Sequence, residues 1–177
     1  MKINERGWLS GVRRISSPNF DPRPPGQKVN LLVIHSISLP PEQFSGVAVE
    51  QLFTNTLNCD EHPYYEKLRG VKVSAHFLIR RNGEITQFVS CNQRAWHAGV
   101  SEWWGKTRCN DFSLGIELEG SDSVCYTDAQ YKKLQYLTHR LTRNYPLKQI
   151  VGHADIAPGR KTDPGPFFDW KRYLKSL

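Results

Sequence analysis

The chain has 177 residues, 38% of them hydrophobic, which suits one domain with a core large enough to do without disulfide support. It has no run like the roughly 20 apolar residues of a membrane helix, and its charged opening, Met1 to Gly7, has no apolar segment behind it, so neither a membrane span nor a signal peptide is expected. The net charge of +7 favours anionic partners, but the basic residues are scattered in pairs such as Arg13-Arg14, Arg80-Arg81 and Lys132-Lys133, without the basic run or aromatic motif of a nucleic-acid binder.

Cys59, Cys91, Cys109 and Cys125 are widely spaced and form no Cys-x-x-Cys pair. They read as free thiols in a reducing compartment, and the cytoplasm is the expected location. A monomer is expected.

In chain order, the proline-rich stretch 16–28 predicts an extended surface segment. The apolar run 29–35 predicts a buried strand that closes on His35. Pro40-Pro41 breaks the chain, and 47–54 predicts a short helix. Residues 55–72 predict a loop with local turns. Residues 73–80 predict a strand, Asn82-Gly83 a tight turn, and 85–89 its hairpin partner. A loop follows, carrying Ala-Trp-His-Ala-Gly at 95–99 and a Trp-Trp-Gly segment that ends at Arg108. Residues 114–119 predict a strand. Thr127 with Gln130 three residues on resembles a capping box, opening a helix to about Asn144 with Leu134, Leu137 and Leu141 on one face. A second histidine-closed run, 149–153, predicts another strand. A proline- and glycine-rich loop and a last helix over 167–174 complete the chain. The whole, 1–177, predicts a single α/β domain, a central mixed β-sheet flanked by helices.

Two of the six histidines stand where a strand should meet a loop, His35 and His153. If the two strands are parallel neighbours, both imidazoles emerge at one sheet edge. The loop after His153 offers Asp155 and Asp163, and spacing alone leaves the choice between them open. Two histidines and a carboxylate with a free fourth position form a catalytic zinc arrangement. In 114–119 the two-residue period sets Leu114, Ile116 and Leu118 on one face and Gly115, Glu117 and Glu119 on the other. Glu117 in so apolar a strand is a candidate general base, with solvent exposure or a salt bridge as the plain alternative. Lys161 is a candidate for stabilising an oxyanion. His76 reads as a packed, hydrogen-bonded residue, and His62 and His139 carry no signal. Trp96 suits either stacking on a sugar or capping the core.

These segments together resemble the cytosolic AmpD-type amidases, which hydrolyse 1,6-anhydro-N-acetylmuramyl-L-alanine linkages and belong to the wider zinc amidase family. The resemblance runs from Gly7-Trp8-Leu9 to Phe168-Asp169-Trp170. It is carried by 33–41, 74–84, 94–99, 109–120, 126–130 and 152–165. It implies one Zn²⁺ held by His35, His153 and Asp163, which selects Asp163 over Asp155. It also implies Glu117 as the catalytic glutamate and Lys161 beside the oxyanion region. Ser36, Lys72, Ala95, Trp96, His97, Arg108, Leu118 and Ala154 fall where such enzymes contact substrate. Ser36 stands where close relatives usually have Asn, and Lys72 where Arg is common. Ala75 replaces the tyrosine that other members carry before the strand histidine. The implied substrate is an anhydro-muropeptide in cell-wall recycling, and a wall-lytic amidase acting on intact peptidoglycan is the alternative.

Overall fold

The computed structural model describes residues 2–175 and 177. A six-stranded mixed sheet organises the fold: β1 (Arg13–Arg14), β2 (Leu31–Ile37), β3 (Phe77–Ile79), β4 (Ile85–Gln87), β5 (Ser113–Glu119) and β6 (Gln149–Gly152), in the spatial order β1-β4-β3-β5-β2-β6. Only the β3–β4 pair is antiparallel; β1 with β4, β3 with β5, β5 with β2 and β2 with β6 are parallel. The continuous apolar character of β2 follows from its place inside a parallel sheet covered on both faces.

The two-residue period sorts the strands into two layers. Leu32 and Ile34 of β2 and Leu114, Ile116 and Leu118 of β5 pack with Leu134, Leu137 and Leu141 of helix α2 (Asp128–Asn144) and with Tyr173 of α4 (Trp170–Leu174). On the opposite face Leu31, Val33 and Val151 meet Ala98, Cys109, Phe112 and Ile156, the last from α3 (His153–Ile156). A third cluster joins Leu78 and Phe88 to Leu52 and Phe53 of α1 (Ala48–Phe53). The result is a single-domain α/β fold, and among the described residues no helix is long and apolar enough to cross a membrane.

Several boundaries differ from the sequence expectation. Strand β2 runs on to Ile37, so His35 lies inside the ladder rather than at its end. His153 opens α3 rather than closing a strand. Residues 73–75 leave the ladder because Ser74 bonds elsewhere: its N–H donates to the Trp96 carbonyl and its hydroxyl to the Asn19 carbonyl. The stretch 55–72 holds two 3₁₀ turns, Cys59–Glu61 and Pro63–Leu68. The last helix starts at Trp170, where the Asp169 side chain caps the Arg172 N–H. The segment 16–28 is an extended strap. Phe20–Asp21 pairs with Arg94–Ala95, and the Arg23 guanidinium donates to the carbonyls of Asn110, Asp111 and Ser113.

The α2 start is as the sequence reads it. Thr127 Oγ1 accepts from Gln130 N–H at 3.1 Å, and Gln130 Oε1 accepts in return from Thr127 N–H at 3.1 Å. Thr127 also donates to the Arg81 carbonyl at 2.7 Å, tying the helix to the β3–β4 turn. Thr127→Ala is therefore expected to cost about 1 kcal/mol, within the range of about 0.5–2 kcal/mol for lost caps, read by denaturant unfolding.

Candidate metal centre and active site

The pairing of β2 with β5 sets His35 directly beside Glu117, two residues beyond Val33 beside Gly115. The pairing of β6 with β2 ends at Gly152 opposite Ile34, which delivers His153 to the same end of the sheet. All three residues therefore meet at the carboxyl end of the parallel strands, the place where open α/β sheets hold ligands. The loop returning from α3 brings Asp163 over them. Ala154 N–H donates to the Asp163 carbonyl at 2.9 Å, and Tyr126 donates its hydroxyl to the Pro164 carbonyl at 2.7 Å. Pro164 packs so closely on Gly152 that a Cβ there would fall 2.8 Å from its Cδ.

Three ligand atoms converge. His35 Nδ1 and His153 Nδ1 are 3.0 Å apart, and Asp163 Oδ2 lies 3.2 Å from the first and 3.1 Å from the second. A tetrahedral zinc with bonds of about 2.0–2.1 Å separates its ligands by about 3.3 Å, so the triangle is close to the size the ion requires. The tautomers fit as well. His153 Nε2 faces the Ala98 carbonyl at 3.0 Å; a carbonyl only accepts, so this nitrogen carries the proton and Nδ1 of the neutral ring turns its lone pair to the centre. Burial lowers the pKa of His35 to about 4, which keeps it neutral near pH 7. Burial works against the charge of Asp163, yet its contacts with His153 and His35 outweigh that and hold the carboxyl below its ordinary range. These three residues are the one group among the described residues with geometry for a shared ion.

Glu117 is buried, and its Oε2 has no hydrogen-bond partner. Burial, and next the charge of Asp163, push its pKa well above the usual value, while Lys161 acts in the opposite sense. Glu117, Lys161, Ser36, Trp96, His153 and Asp163 line one cleft of about 420 Å³. A carboxyl so disposed can take and return a proton, and an exposed ammonium on the rim can meet a developing negative charge.

The other expected contact residues fall in different surroundings. Leu118 points into the α2-facing core, since the strand period turns it away from Glu117. Ala95 is fully buried. Ala154 is half-buried and serves the loop through its N–H. Lys72 lines a smaller depression beside the cleft, with Leu52, Leu68 and Val71 on the wall between them. Arg108 pairs with Asp111 at 3.3 Å and faces a separate groove with Val100 and Pro158. His97 does reach the wall of the cleft beside Trp96, but it is buried, with both ring nitrogens directed at protein atoms, His35 and Ser113. Asp155 turns back to accept the Gly152 N–H at 2.7 Å, holding the turn into α3. His76 is the packed residue expected: Nδ1 accepts from Gly115 N–H and Nε2 faces the Gln93 carbonyl. Sequence reasoning missed Arg160, which lines the cleft and donates to the Ala98 and Val100 carbonyls. An arginine beside a glycine turn carries no signal until the loops are assembled.

A family of N-acetylmuramoyl-L-alanine amidases matches residues 25–166, and the chain belongs to that family. Within it, the chain is similar to the 1,6-anhydro-N-acetylmuramyl-L-alanine amidase AmpD of Escherichia coli K12, with 54% identity over 171 residues, 96% of this chain and 93% of that one. A crystal structure of a selenomethionine AmpD derivative superimposes with a TM-score of 0.97 at 51% identity, covering 100% of this chain and 99% of the other. The E. coli amidase AmiD, solved with the substrate anhydro-N-acetylmuramic acid-L-Ala-D-γ-Glu-L-Lys, matches with a TM-score of 0.60 at 32% identity, over 98% of this chain and 65% of that one.

The two loop aspartates separate by experiment. Asp163→Asn is expected to strip bound divalent metal from the purified protein with little change in unfolding midpoint under metal-free conditions. Asp155→Ala is expected to keep the metal and to lower stability by about 0.5–2 kcal/mol, as for a lost turn cap. Metal analysis with denaturant unfolding reads both.

Proposed function

We propose that this chain is an amidase of anhydro-muropeptides. It hydrolyses the amide between the lactyl group of anhydro-N-acetylmuramic acid and L-alanine, a step of peptidoglycan recycling. The observation that carries the chemistry is the convergence of three lone pairs on one point beside a buried, unpartnered carboxylate. Near-full-length likeness to AmpD supports the substrate class. The four cysteines, none of them paired, support a reducing, cytoplasmic location.

His35, His153 and Asp163 hold one Zn²⁺ in this reading. When bound, the ion supplies a Lewis acid that lowers the pKa of water towards neutrality and polarises the amide carbonyl. Glu117 Oε2 takes a proton as the water oxygen bonds to the lactyl carbonyl carbon, and then returns it to the L-alanine nitrogen as the C–N bond breaks. Lys161 Nζ donates to the developing oxyanion. Trp96, half-buried on the cleft wall, offers its face to the anhydro-sugar, and the exposed Arg160 and Lys161 favour the carboxylates of the peptide stem.

Glu117→Gln is expected to retain zinc and substrate affinity while kcat falls by about 10²–10⁴-fold, since it removes only the proton acceptor. Turnover near that of the unaltered protein would reject the assignment. Trp96→Ala is expected to raise KM for anhydro-muropeptides more than for reducing muramyl peptides, with zinc content unchanged. An equal loss on both substrates would leave Trp96 as a wall residue only. The closely matched comparison of soluble anhydro-muropeptides against intact sacculi decides the substrate class, with cleavage of the soluble form expected to dominate.

A further inference from the structure

Behind His35, on the side away from Asp163, stands a second imidazole that the proposed reaction leaves unused. His35 Nε2 and His97 Nδ1 are 2.9 Å apart, and both rings are buried. The rings meet edge to face, with centroids 4.9 Å apart and an interplanar angle of 83°. The far nitrogen of His97, Nε2, lies 3.1 Å from Ser113 Oγ. The backbone under the ring is fixed too: the N–H groups of His97 and Ala98 both donate to Asn110 Oδ1, at 3.1 and 2.8 Å.

The ring lies against Gly115 of β5. A Cβ at that position would fall 2.5 Å from His97 Cγ and 2.6 Å from Nδ1, a separation that side chains do not tolerate. Gly115 therefore opens a slot in the sheet face, one alternate residue before Glu117, and His97 fills it. Nothing in the strand's own geometry needs a glycine there.

One proton is shared across the His35–His97 contact, and its location decides what His35 can do. With the proton on His35 Nε2 and His97 accepting, His35 Nδ1 presents a lone pair to Asp163 and His153. With the proton on His97 Nδ1, His35 must carry its own proton on Nδ1, among the converging ligand atoms, where it excludes a cation. The first arrangement leaves the His97 proton on Nε2, where the Ser113 hydroxyl oxygen 3.1 Å away can accept it.

We propose that His97 is a positioning residue of the metal centre, accepting the His35 Nε2 proton and so holding His35 in its metal-binding tautomer, with Gly115 providing the space it needs. The inference rests on the metal reading above and extends it to two residues that are not themselves ligands of the ion. Groups of this kind typically change metal affinity by about 10–100-fold when removed.

Two substitutions at one position separate this role from packing. His97→Phe fills the slot and deletes the acceptor. His97→Asn sets an amide oxygen near the Nδ1 position and deletes most of the ring. Zinc dissociation constants of the full chain, measured by chelator competition, are expected to rise about 10–100-fold in the Phe variant and less in the Asn variant. Equal affinity in the Phe variant and the unaltered chain, or tighter binding by Phe than by Asn, would overturn the proposal. An unaltered chain that binds no zinc would remove the metal reading and this one with it, whereas tight binding by the unaltered chain with no loss in His97→Phe removes this one alone. If a variant fails to fold, the zinc-loaded unaltered protein decides: a ¹⁵N–¹⁵N coupling between His35 Nε2 and His97 Nδ1 through the hydrogen bond is expected, and its absence would contradict the proposal.

Discussion

The parallel register of β2 against β5 is the constraint on which the site depends. It pairs His35 with Glu117 and Val33 with Gly115, so a ligand, a proton acceptor and the slot for a supporting ring all sit on one face within three residues of strand. Slipping the register by one residue would turn Glu117 into the α2-facing core and bring Leu118 to the cleft. The apolar packing of Leu32, Ile34, Leu114, Ile116 and Leu118 on α2 opposes that slip, because it would expose the same residues. The core on one face therefore fixes the chemistry on the other.

The second element is a loop held by its ends. Residues between His153 and Asp163 have little regular structure, yet Asp155 caps the turn into α3, Ala154 bonds the Asp163 carbonyl, and Tyr126 bonds the Pro164 carbonyl. Close contacts at Gly152 and Gly120, where a Cβ would meet Pro164 and the Tyr126 ring, bring these parts within reach. The loop carries both Asp163 and Lys161, so its fixed ends locate an anion and a cation on the cleft lining. Ligand geometry near 3.1 Å from segments more than a hundred residues apart requires such double anchoring.

Much of this was legible in the chain. The two apolar runs that end near histidines, the alternation through 114–119 and the Thr127 capping box each state a local preference that the fold obeys. Asp163 was separable from Asp155 only through the family resemblance, since the distinction is a turn geometry ten residues from His153. The contact residues were less readable. Leu118 and Ala95 adjoin important residues in sequence, but strand periodicity and burial take their side chains elsewhere. Arg108 follows the cleft-lining Trp96 by a dozen residues, and a two-stranded turn at Glu102–Trp103 and Lys106–Thr107 carries it to another groove. Ser113 and Gly115 gave no signal because one acts through a hydrogen bond to a distant ring and the other through the space it leaves for that ring.

The most direct measurement is a single turnover of an anhydro-muropeptide by excess zinc-loaded protein in ¹⁸O-labelled water, with products and enzyme read by mass spectrometry. Attack by water on the lactyl carbonyl, with Glu117 handling only the proton, predicts one ¹⁸O in the carboxylate of the released anhydro-N-acetylmuramic acid and none in the peptide. Label retained in Glu117, label in the peptide, or an intact lactyl–alanine bond would contradict the account.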